Sequence, residues 1–195
     1  PDHATLLMND ELDELYGNNP HTRTLIWDVI SLENPRNTGN YFAENTVIDH
    51  NLYIKGNLGY LSNYCDGLRV MDVSLIKSAN IQEKAYYDVN PTCNTREFAG
   101  TWSNYPYFAS GNIAVTSIER GLFIVTVADQ VEKEADARRA AADAMYAKGA
   151  SHSQVNAHFG LDSHMVHNGQ IDQTARPAHA PPAPKHCTGE CQNAA

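Results

Sequence analysis

Three short apolar segments with the same pattern recur along the chain, at residues 25–29, 68–73 and 122–127. Asp28 and Asp72 hold equivalent positions 44 residues apart, and the matching Thr126 follows after a further 54 residues. This spacing is typical of four-stranded β-propeller blades, in which one strand of each blade carries the repeat. The pattern therefore predicts an all-β fold, an arc of about three β-propeller blades.

The alternation of apolar and polar residues divides each blade into short strands rich in β-branched and aromatic residues. The predicted strands lie near residues 5–9, 24–29 and 38–42, then 50–55, 59–64, 68–73 and 81–89, then 104–108, 113–118 and 122–127. The arc is thus incomplete at both ends, because the first blade lacks its inner strand and the third lacks its fourth. Open edges leave N–H and C=O groups unpaired. We expect the remainder of a propeller, from upstream residues or another chain, to complete it; a small sheet sandwich that buries its own edges is the alternative.

The composition changes after Val127. Asp129 and Glu132 predict the start of one α-helix, and an Ala-rich run continues it to Gly149. Beyond Gly149 the chain is polar and then Pro-rich, which predicts an extended C-terminal arm that docks on its own sheets or on a partner subunit. The predicted domains are residues 1–128 for the blades, 129–149 for the helix and 150–195 for the arm.

The composition limits the classes of partner that we expect. The formal net charge is −9 with only 14 Lys and Arg in 195 residues, which argues against nucleic acid. No apolar run approaches the length of a membrane span, so we expect none. The chain begins at Pro1 without a Met or an apolar leader, and we expect either processing or a piece of a longer protein.

Five segments carry a resemblance to a known family: residues 7–14, 48–57, 67–74, 102–108 and 118–123. In this order they resemble the C-terminal part of the choice-of-anchor B proteins, which are LVIVD-repeat β-propellers. The resemblance covers about residues 2–127. It implies a secreted or surface-displayed propeller with a poorly defined, mostly non-enzymatic role, and it brings no set of catalytic residues.

The four cysteines fall into two pairs. In a propeller, the loop that holds Cys65 and the connection that holds Cys93 lie on the same face, so this pair is predicted to meet. Cys187 and Cys191 are four residues apart around Gly189 and are predicted to close a small ring. Two disulfides fit an oxidising compartment and the resemblance, hence a secreted or cell-surface location. The alternative is four free thiols in a cytosolic protein.

The connection between the first two strands is acidic. Asp10, Glu11, Asp13 and Glu14 offer hard oxygen ligands of the kind that Ca²⁺ uses. The segment lacks the spacing of a self-contained calcium loop. A solvated acidic loop is therefore the alternative to a metal site.

A second candidate group lies where inner strands would line the channel of a propeller. It consists of Asp49, His50, Asn51, Trp102 and Asn104. A His beside an Asp is a base, a metal ligand or a hydrogen-bonded structural pair. No nucleophile at fixed spacing completes a catalytic set, which favours the structural pair.

Six histidines lie in the C-terminal arm, at residues 152, 158, 164, 167, 179 and 186. His164 and His167 would share a helix face, but no second pair at ligand spacing follows. A His-rich docking arm is favoured over a zinc site.

Two classes of function follow from these patterns. The preferred one is a non-enzymatic extracellular propeller that serves as a structural, adhesive or protein-interaction module in a larger assembly or homo-oligomer. The alternative is an ion-dependent hydrolase, or a carbohydrate-binding propeller, that uses the loop-bearing channel face.

Overall fold

Three antiparallel β-sheets form most of the molecule. A computed structural model describes residues 3–160 and 165–167. The strands are β1 (Thr5–Asn9), β2 (Arg23–Asp28), β3 (Arg36–Phe42), β4 (Leu52–Lys55), β5 (Leu58–Ser62), β6 (Leu68–Asp72), β7 (Gln82–Tyr87), β8 (Thr101–Tyr105), β9 (Asn112–Ser117), β10 (Gly121–Thr126) and β11 (Met165–His167). The helices are α1 (Glu11–Leu15), α2 (Asp129–Ala147) and α3 (His152–Phe159), with a 3-10 turn at Ile76–Ser78.

The order of the strands follows the predicted repeat. The first sheet has the order β1-β2-β3-β11, the second β4-β5-β6-β7 and the third β10-β9-β8. The repeated segments are β2, β6 and β10; β2 and β6 are interior strands of their sheets, whereas β10 is an edge strand of the third sheet. The all-β prediction is confirmed at the level of three antiparallel sheets.

The repeated Asp has a structural role at the end of its strand. The carboxylate of Asp28 accepts a hydrogen bond from the N–H of Ile30, and that of Asp72 accepts one from the N–H of Ser74. Such a bond to the backbone two residues on turns the chain away from the sheet. The same local chemistry therefore ends the same strand in two sheets.

The second sheet lies between the other two. One buried cluster joins it to the first sheet through Ile26 and Tyr41 on one side and Leu61 and Met71 on the other. A second cluster joins it to the third sheet. Its members are Leu58, Tyr60, Leu68, Val70, Ala85, Val89, Ile113, Val115, Val125 and Ala135. The hydrophobic core is thus two interfaces between three sheets.

The helix predicted over residues 129–149 is present as α2. Its Ala135 packs in the cluster between the second and third sheets. Arg138 donates hydrogen bonds to the carboxylate of Asp72, at 2.6 Å, and to the side chain of Gln82, at 2.9 Å. The helix therefore covers one end of the second sheet. No helix among the described residues is long and apolar enough to cross a membrane.

The prediction of an extended arm from residue 150 is wrong for its first part. Ser151 and Gln154 form a capping box that starts α3. Val155 is buried with Leu75 and Ala142. The polar composition of this segment favoured an extended arm, and the capping box at Ser151 was not recognised.

The last described strand changes the edge of the first sheet. β11 pairs antiparallel with β3, with Val166 opposite Asn40. The fourth strand of this sheet therefore comes from the C-terminal segment and lies beside β3, whereas the prediction left this sheet short at the other edge. Cys187 and Cys191, like the rest of the arm after residue 167, lie outside the described residues.

Candidate functional site

The acidic connection after β1 is a short helix rather than a loop. Its first residue, Glu11, accepts a hydrogen bond of 2.6 Å from the hydroxyl of Tyr64. The other close partner of Glu11 is His50, whose Nδ1 lies 3.1 Å from the same carboxylate oxygen. One carboxylate thus joins the entrance of β4 to the end of β5.

Arg23 pairs with two further acids of this segment. Its guanidinium lies 3.0 Å from the carboxylate of Asp10 and also contacts that of Asp13. Arg23 is the first residue of β2, next to β1 in the sheet, so strand pairing brings it back to the acidic segment. The alternative of a solvated loop is wrong for Asp13, which is buried against this arginine.

Glu14 and Asp49 are buried acids with few hydrogen bonds. Both are almost completely inaccessible, and no side chain among the described residues donates a hydrogen bond to either carboxylate. Burial, with the nearby charge of Asp49, raises the pKa of Glu14 to about 9. Burial likewise raises the pKa of Asp49 to about 8. At neutral pH these two side chains are therefore mainly neutral.

The four acids predicted to bind Ca²⁺ are divided among different partners. Asp10 and Asp13 contact Arg23, Glu11 contacts His50 and Tyr64, and Glu14 lies beside Asp49. Within residues 3–160 and 165–167, no group of three or more His, Cys, Asp or Glu side chains is arranged to hold a metal ion. The calcium site stays a prediction without support from this geometry.

His50 lies in an aromatic cluster beside the acidic segment. Its ring centroid is 4.7 Å from that of Trp102 and 5.1 Å from that of Tyr64, and Phe98 packs edge-on against Tyr64. Burial, together with the hydrogen bond to Glu11, raises the pKa of Tyr64 above its usual range. Trp102 and Phe98 remain nearly half exposed, whereas Tyr64 is buried. The aromatic cluster therefore has a solvent-exposed side and a buried side.

A glycine positions Trp102 next to Tyr64. Gly100 has φ +84°, and a Cβ at this position would lie 2.5 Å from the carbonyl oxygen of Tyr64. The absence of a side chain lets the N–H of Thr101 donate a 2.8 Å hydrogen bond to the same carbonyl. The second and third sheets are joined at this point.

The predicted channel residues separate into two groups. Asp49, His50, Asn51 and Trp102 lie together, and the side chain of Asn51 donates to the carbonyl of Trp102 at 3.5 Å. Asn104 is instead buried between the sheets, where its amide donates to the carbonyl of Tyr60 and the hydroxyl of Ser62. Asn104 therefore has a packing role and does not belong to the exposed surface.

The contacts of His50 are those expected of a hydrogen-bonded structural pair. They are to a carboxylate and to two aromatic rings. In the described part of the chain, no Ser, Thr or Cys side chain is hydrogen-bonded to its ring. A His that activates a nucleophile through a hydrogen bond is one route to covalent catalysis, and this pairing is not present among the described residues.

A second aromatic group extends this surface along β8, and it was missed by sequence reasoning. Tyr105 packs against Tyr107 and Phe108, and Tyr107 packs edge-on against Tyr53. The hydroxyl of Tyr107 donates to the carbonyl of Ile54 at 2.9 Å. The sequence Tyr105-Pro106-Tyr107-Phe108 carried the signal, but it was assigned to a strand interior.

Cys65 and Cys93 form the predicted disulfide, with 5.0 Å between their Cα atoms. The bridge ties the end of β5 to the connection that leads to the third sheet. Cys65, Cys93 and Val47 form a small buried cluster with Ala99 packed against it. A disulfide of this kind is consistent with an oxidising compartment.

A cleft lies at the opposite end of the first sheet. It has a volume of about 1220 Å³ and runs between the ends of β1–β3 and α3. Arg36, Lys77 and His152 line it, and Arg36 is paired with Asp28 at 3.1 Å. The acidic and aromatic cluster, which consists of the acids of the connection after β1 with His50, Tyr64, Phe98 and Trp102, does not line this cleft.

The repeat also defines two faces on every sheet. We call the side that faces the next sheet along the chain the forward face and the other side the rear face. On the forward faces Ile26, Val70 and Ile124 are equivalent, because each lies two residues before the aligned Asp28, Asp72 or Thr126. Ile26 packs on the second sheet and Val70 on the third.

Within residues 3–160 and 165–167, nothing covers the forward face of the third sheet. Ile26 and Val70 are completely buried, whereas Ile124 is 56% exposed. The next pair behaves in the same way, because Leu68 is buried and the equivalent Leu122 is 63% exposed. The position of Ile26, Val70 and Ile124 is apolar in every sheet, and only in the third sheet does no described residue cover it.

The rear face of the first sheet is uncovered as well. Strand pairing makes Met8 equivalent to Leu61 and Val115. Leu61 packs on the first sheet and Val115 on the second, and both are buried. Met8 and its neighbour on the same face, Leu6, are nearly half exposed. In the part of the chain that the structure describes, the array of sheets therefore has one open apolar face at each end.

Comparisons with family models, curated proteins and solved structures found no match for this chain. The resemblance to the choice-of-anchor B proteins stays a prediction from the sequence.

Proposed function

We propose that this protein is a non-enzymatic β-propeller module, secreted or displayed at the cell surface, that binds other protein through the open forward face of its third sheet. The observation that carries the proposal is the exposure of Ile124 at a position that is completely buried in the two preceding sheets. Contiguous exposed apolar surface of this kind marks protein interaction sites.

The internal interfaces indicate what kind of partner fits. Each of them joins the forward face of one sheet to the rear face of the next through β-branched, Leu, Met and Tyr side chains. On β10 the forward face of the third sheet repeats this apolar pattern with Leu122 and Ile124, whereas β9 contributes Asn112, Ala114 and Thr116 to the same face. A further antiparallel sheet with an apolar rear face is therefore the expected ligand, and it would continue the propeller.

The disulfide and the resemblance support the proposed location. Cys65 and Cys93 are bridged in a buried position beside the acidic and aromatic cluster. Bridges of this kind persist outside the cytosol. The choice-of-anchor B resemblance implies the same compartment.

The test is site-specific photo-crosslinking in the intact protein. A photoreactive phenylalanine analogue at Ile124 is expected to crosslink to a β-strand, which mass spectrometry of the joined peptides identifies. The matched control places the same group at Lys133, an exposed polar position on α2. Equal crosslinking at both positions, or none at Ile124, would overturn the proposal.

The aromatic surface favours a second candidate, carbohydrate binding. Trp102 and Tyr105 are nearly half exposed on β8, and aromatic faces of this kind pack well against the apolar faces of sugar rings. Titration with soluble oligosaccharides should then quench the fluorescence of Trp102. The Trp102→Phe and Trp27→Phe variants separate this signal from that of the other tryptophan, and quenching that survives Trp102→Phe speaks against the candidate.

A further inference from the structure

We propose that the partner on the forward face of the third sheet is the first sheet of a second copy of this chain. The inference rests on the proposed function, because it names the occupant of the same surface. It is carried by the two open faces of the array, one of each kind, on a single molecule.

The faces match in the sense that the fold already uses. Forward faces meet rear faces in both internal interfaces, with Ile26 and Val70 on the forward side and Met71 and Val125 on the rear side. The open pair combines the same two kinds of face: Ile124 lies on a forward face, and Met8 lies on a rear face at the position of Leu61 and Val115. A second copy therefore supplies the missing neighbour by repeating an existing contact.

The chain offers no charge conflict at this contact. The side chains that define the two open faces are Leu6 and Met8 on one and Leu122 and Ile124 on the other, all uncharged. The nearby acids Asp10 and Asp13 are already paired with Arg23. Apolar packing thus drives the contact, as in the internal interfaces.

The contact joins two different surfaces and is heterologous. Heterologous contacts either close into a ring or continue as an open chain of subunits. Two copies close when each places its first sheet on the third sheet of the other. Both ends of the array are then covered.

The experiment uses two charge substitutions, Met8→Lys on the rear face and Ile124→Glu on the forward face. Light scattering after gel filtration is expected to show wild-type protein at twice 21.5 kDa or more. Each variant alone should raise the dissociation constant at least tenfold. An equal mixture of the two variants should restore the larger species, because one contact then pairs Lys with Glu and the other is native.

The controls keep the result decisive. Circular dichroism and thermal unfolding verify that both variants fold, which is expected because both positions are exposed. Leu32→Lys changes an apolar residue on the turn between β2 and β3 that is more exposed than Met8 or Ile124, and it should leave the mass unchanged.

Three outcomes would contradict the proposal that a second copy of the chain covers this face. Wild-type protein that stays at 21.5 kDa at high concentration excludes it. An effect of Ile124→Glu without an effect of Met8→Lys indicates a contact between like faces. A crosslink from Ile124 to a different polypeptide, or to another part of a longer chain, keeps the proposed function and identifies another occupant, whereas the absence of any crosslink overturns both.

Discussion

The second and third sheets share one sequence pattern but have different surroundings. The second sheet is covered on both faces, by the first sheet through Met71 and by the third through Val70. The third sheet is covered on its rear face through Val125 and open on its forward face at Ile124. Equivalent apolar residues are therefore core in one sheet and surface in the other.

The difference between the second and third sheets gives a way to interpret an exposed hydrophobic residue. Single exposed apolar side chains are ordinary on protein surfaces. Here the repeat supplies an internal reference, because the same position can be inspected in three sheets of one chain. The exposure of Ile124 departs from that reference, and this is the reason that it indicates an interface.

The largest effect is expected at the end of the second sheet that α2 covers. Arg138 pairs with Asp72, whose side chain is completely buried. We expect Arg138→Ala to lower the free energy of unfolding by about 3–5 kcal/mol, because it leaves an unpaired buried carboxylate. Urea denaturation measures the change.

Its neighbour Arg139 is the matched control. It forms an exposed pair with Asp143 one helical turn away, at 2.9 Å. Such pairs contribute about 0.3–0.5 kcal/mol. Similar losses for Arg138→Ala and Arg139→Ala would mean that α2 does not stabilise the second sheet.

The comparison itself is tested by one substitution at two equivalent positions. Ile26→Ala should lower the free energy of unfolding by about 2–5 kcal/mol, because it leaves a cavity between the first two sheets. Ile124→Ala should change the stability of the isolated subunit by about 0.5 kcal/mol or less. Thermal and urea unfolding at low protein concentration measure both.

The dependence of stability on protein concentration provides a further test of the two variants. If the forward face of the third sheet is covered in the assembled protein, Ile124→Ala should destabilise it as protein concentration rises, since association stabilises the folded state. Ile26→Ala should lose stability at every concentration. A loss for Ile124→Ala at high dilution as large as that for Ile26→Ala would contradict the difference between the sheets.

The joint between the second and third sheets contributes through its disulfide. Cys65 and Cys93 are separated by 28 residues, and constraining such a loop in the unfolded chain stabilises a protein by about 2–4 kcal/mol. We expect the double variant Cys65→Ala/Cys93→Ala to lose this amount in urea denaturation.

A single Cys65→Ala variant serves as the control. It should lose nearly as much as the double variant, because either change removes the bridge. If the double variant unfolds at the wild-type urea concentration without reductant, the bridge does not hold the joint.

The buried acids predict a dependence on pH that is the reverse of the usual one for carboxylates. The pKa of Glu14 is raised to about 9 and that of Asp49 to about 8 by burial. The unfolded chain releases these protons at lower pH than the folded protein does. Stability from these groups is therefore fully present below about pH 4 and is lost as the pH rises to about 9, by at most about 1.4 kcal/mol per pH unit for each group.

Isosteric variants isolate this effect. Glu14→Gln and Asp49→Asn keep the side-chain shape and remove the titration, so stability between pH 5 and 9 should fall less steeply than in the wild type. Glu132→Gln changes an exposed acid on α2 and should leave the slope unaltered. The hypothesis fails if the wild type and the Glu14→Gln variant have the same slope.

Local sequence determined the strands and their order to a large extent. The repeat around Asp28 and Asp72 located β2 and β6, since alternating apolar residues and a terminal Asp produce the same strand wherever they occur. The helix α2 was also predicted, from its acidic first turn. The disulfide between Cys65 and Cys93 followed once the strands were placed, because loop position is a consequence of strand order.

Three short elements were not predicted from the sequence. The five-residue helix α1 was interpreted as a loop, because a segment of this length has no helical period to detect. The helix α3 carried a capping box at Ser151, which was not recognised within the polar segment around it. The strand β11 is three residues long and is specified by its partner β3 more than by its own sequence.

The tertiary structure alone decided which polar and apolar groups are buried. Glu14 and Glu11 lie three residues apart in one acidic run, yet Glu14 is completely buried and Glu11 contacts His50 and Tyr64. Ile26, Val70 and Ile124 are alike in sequence and differ only in their neighbours. Local pattern specifies a strand and its two faces through the backbone, whereas burial depends on which distant segment packs there, and that is a property of the assembled sheets.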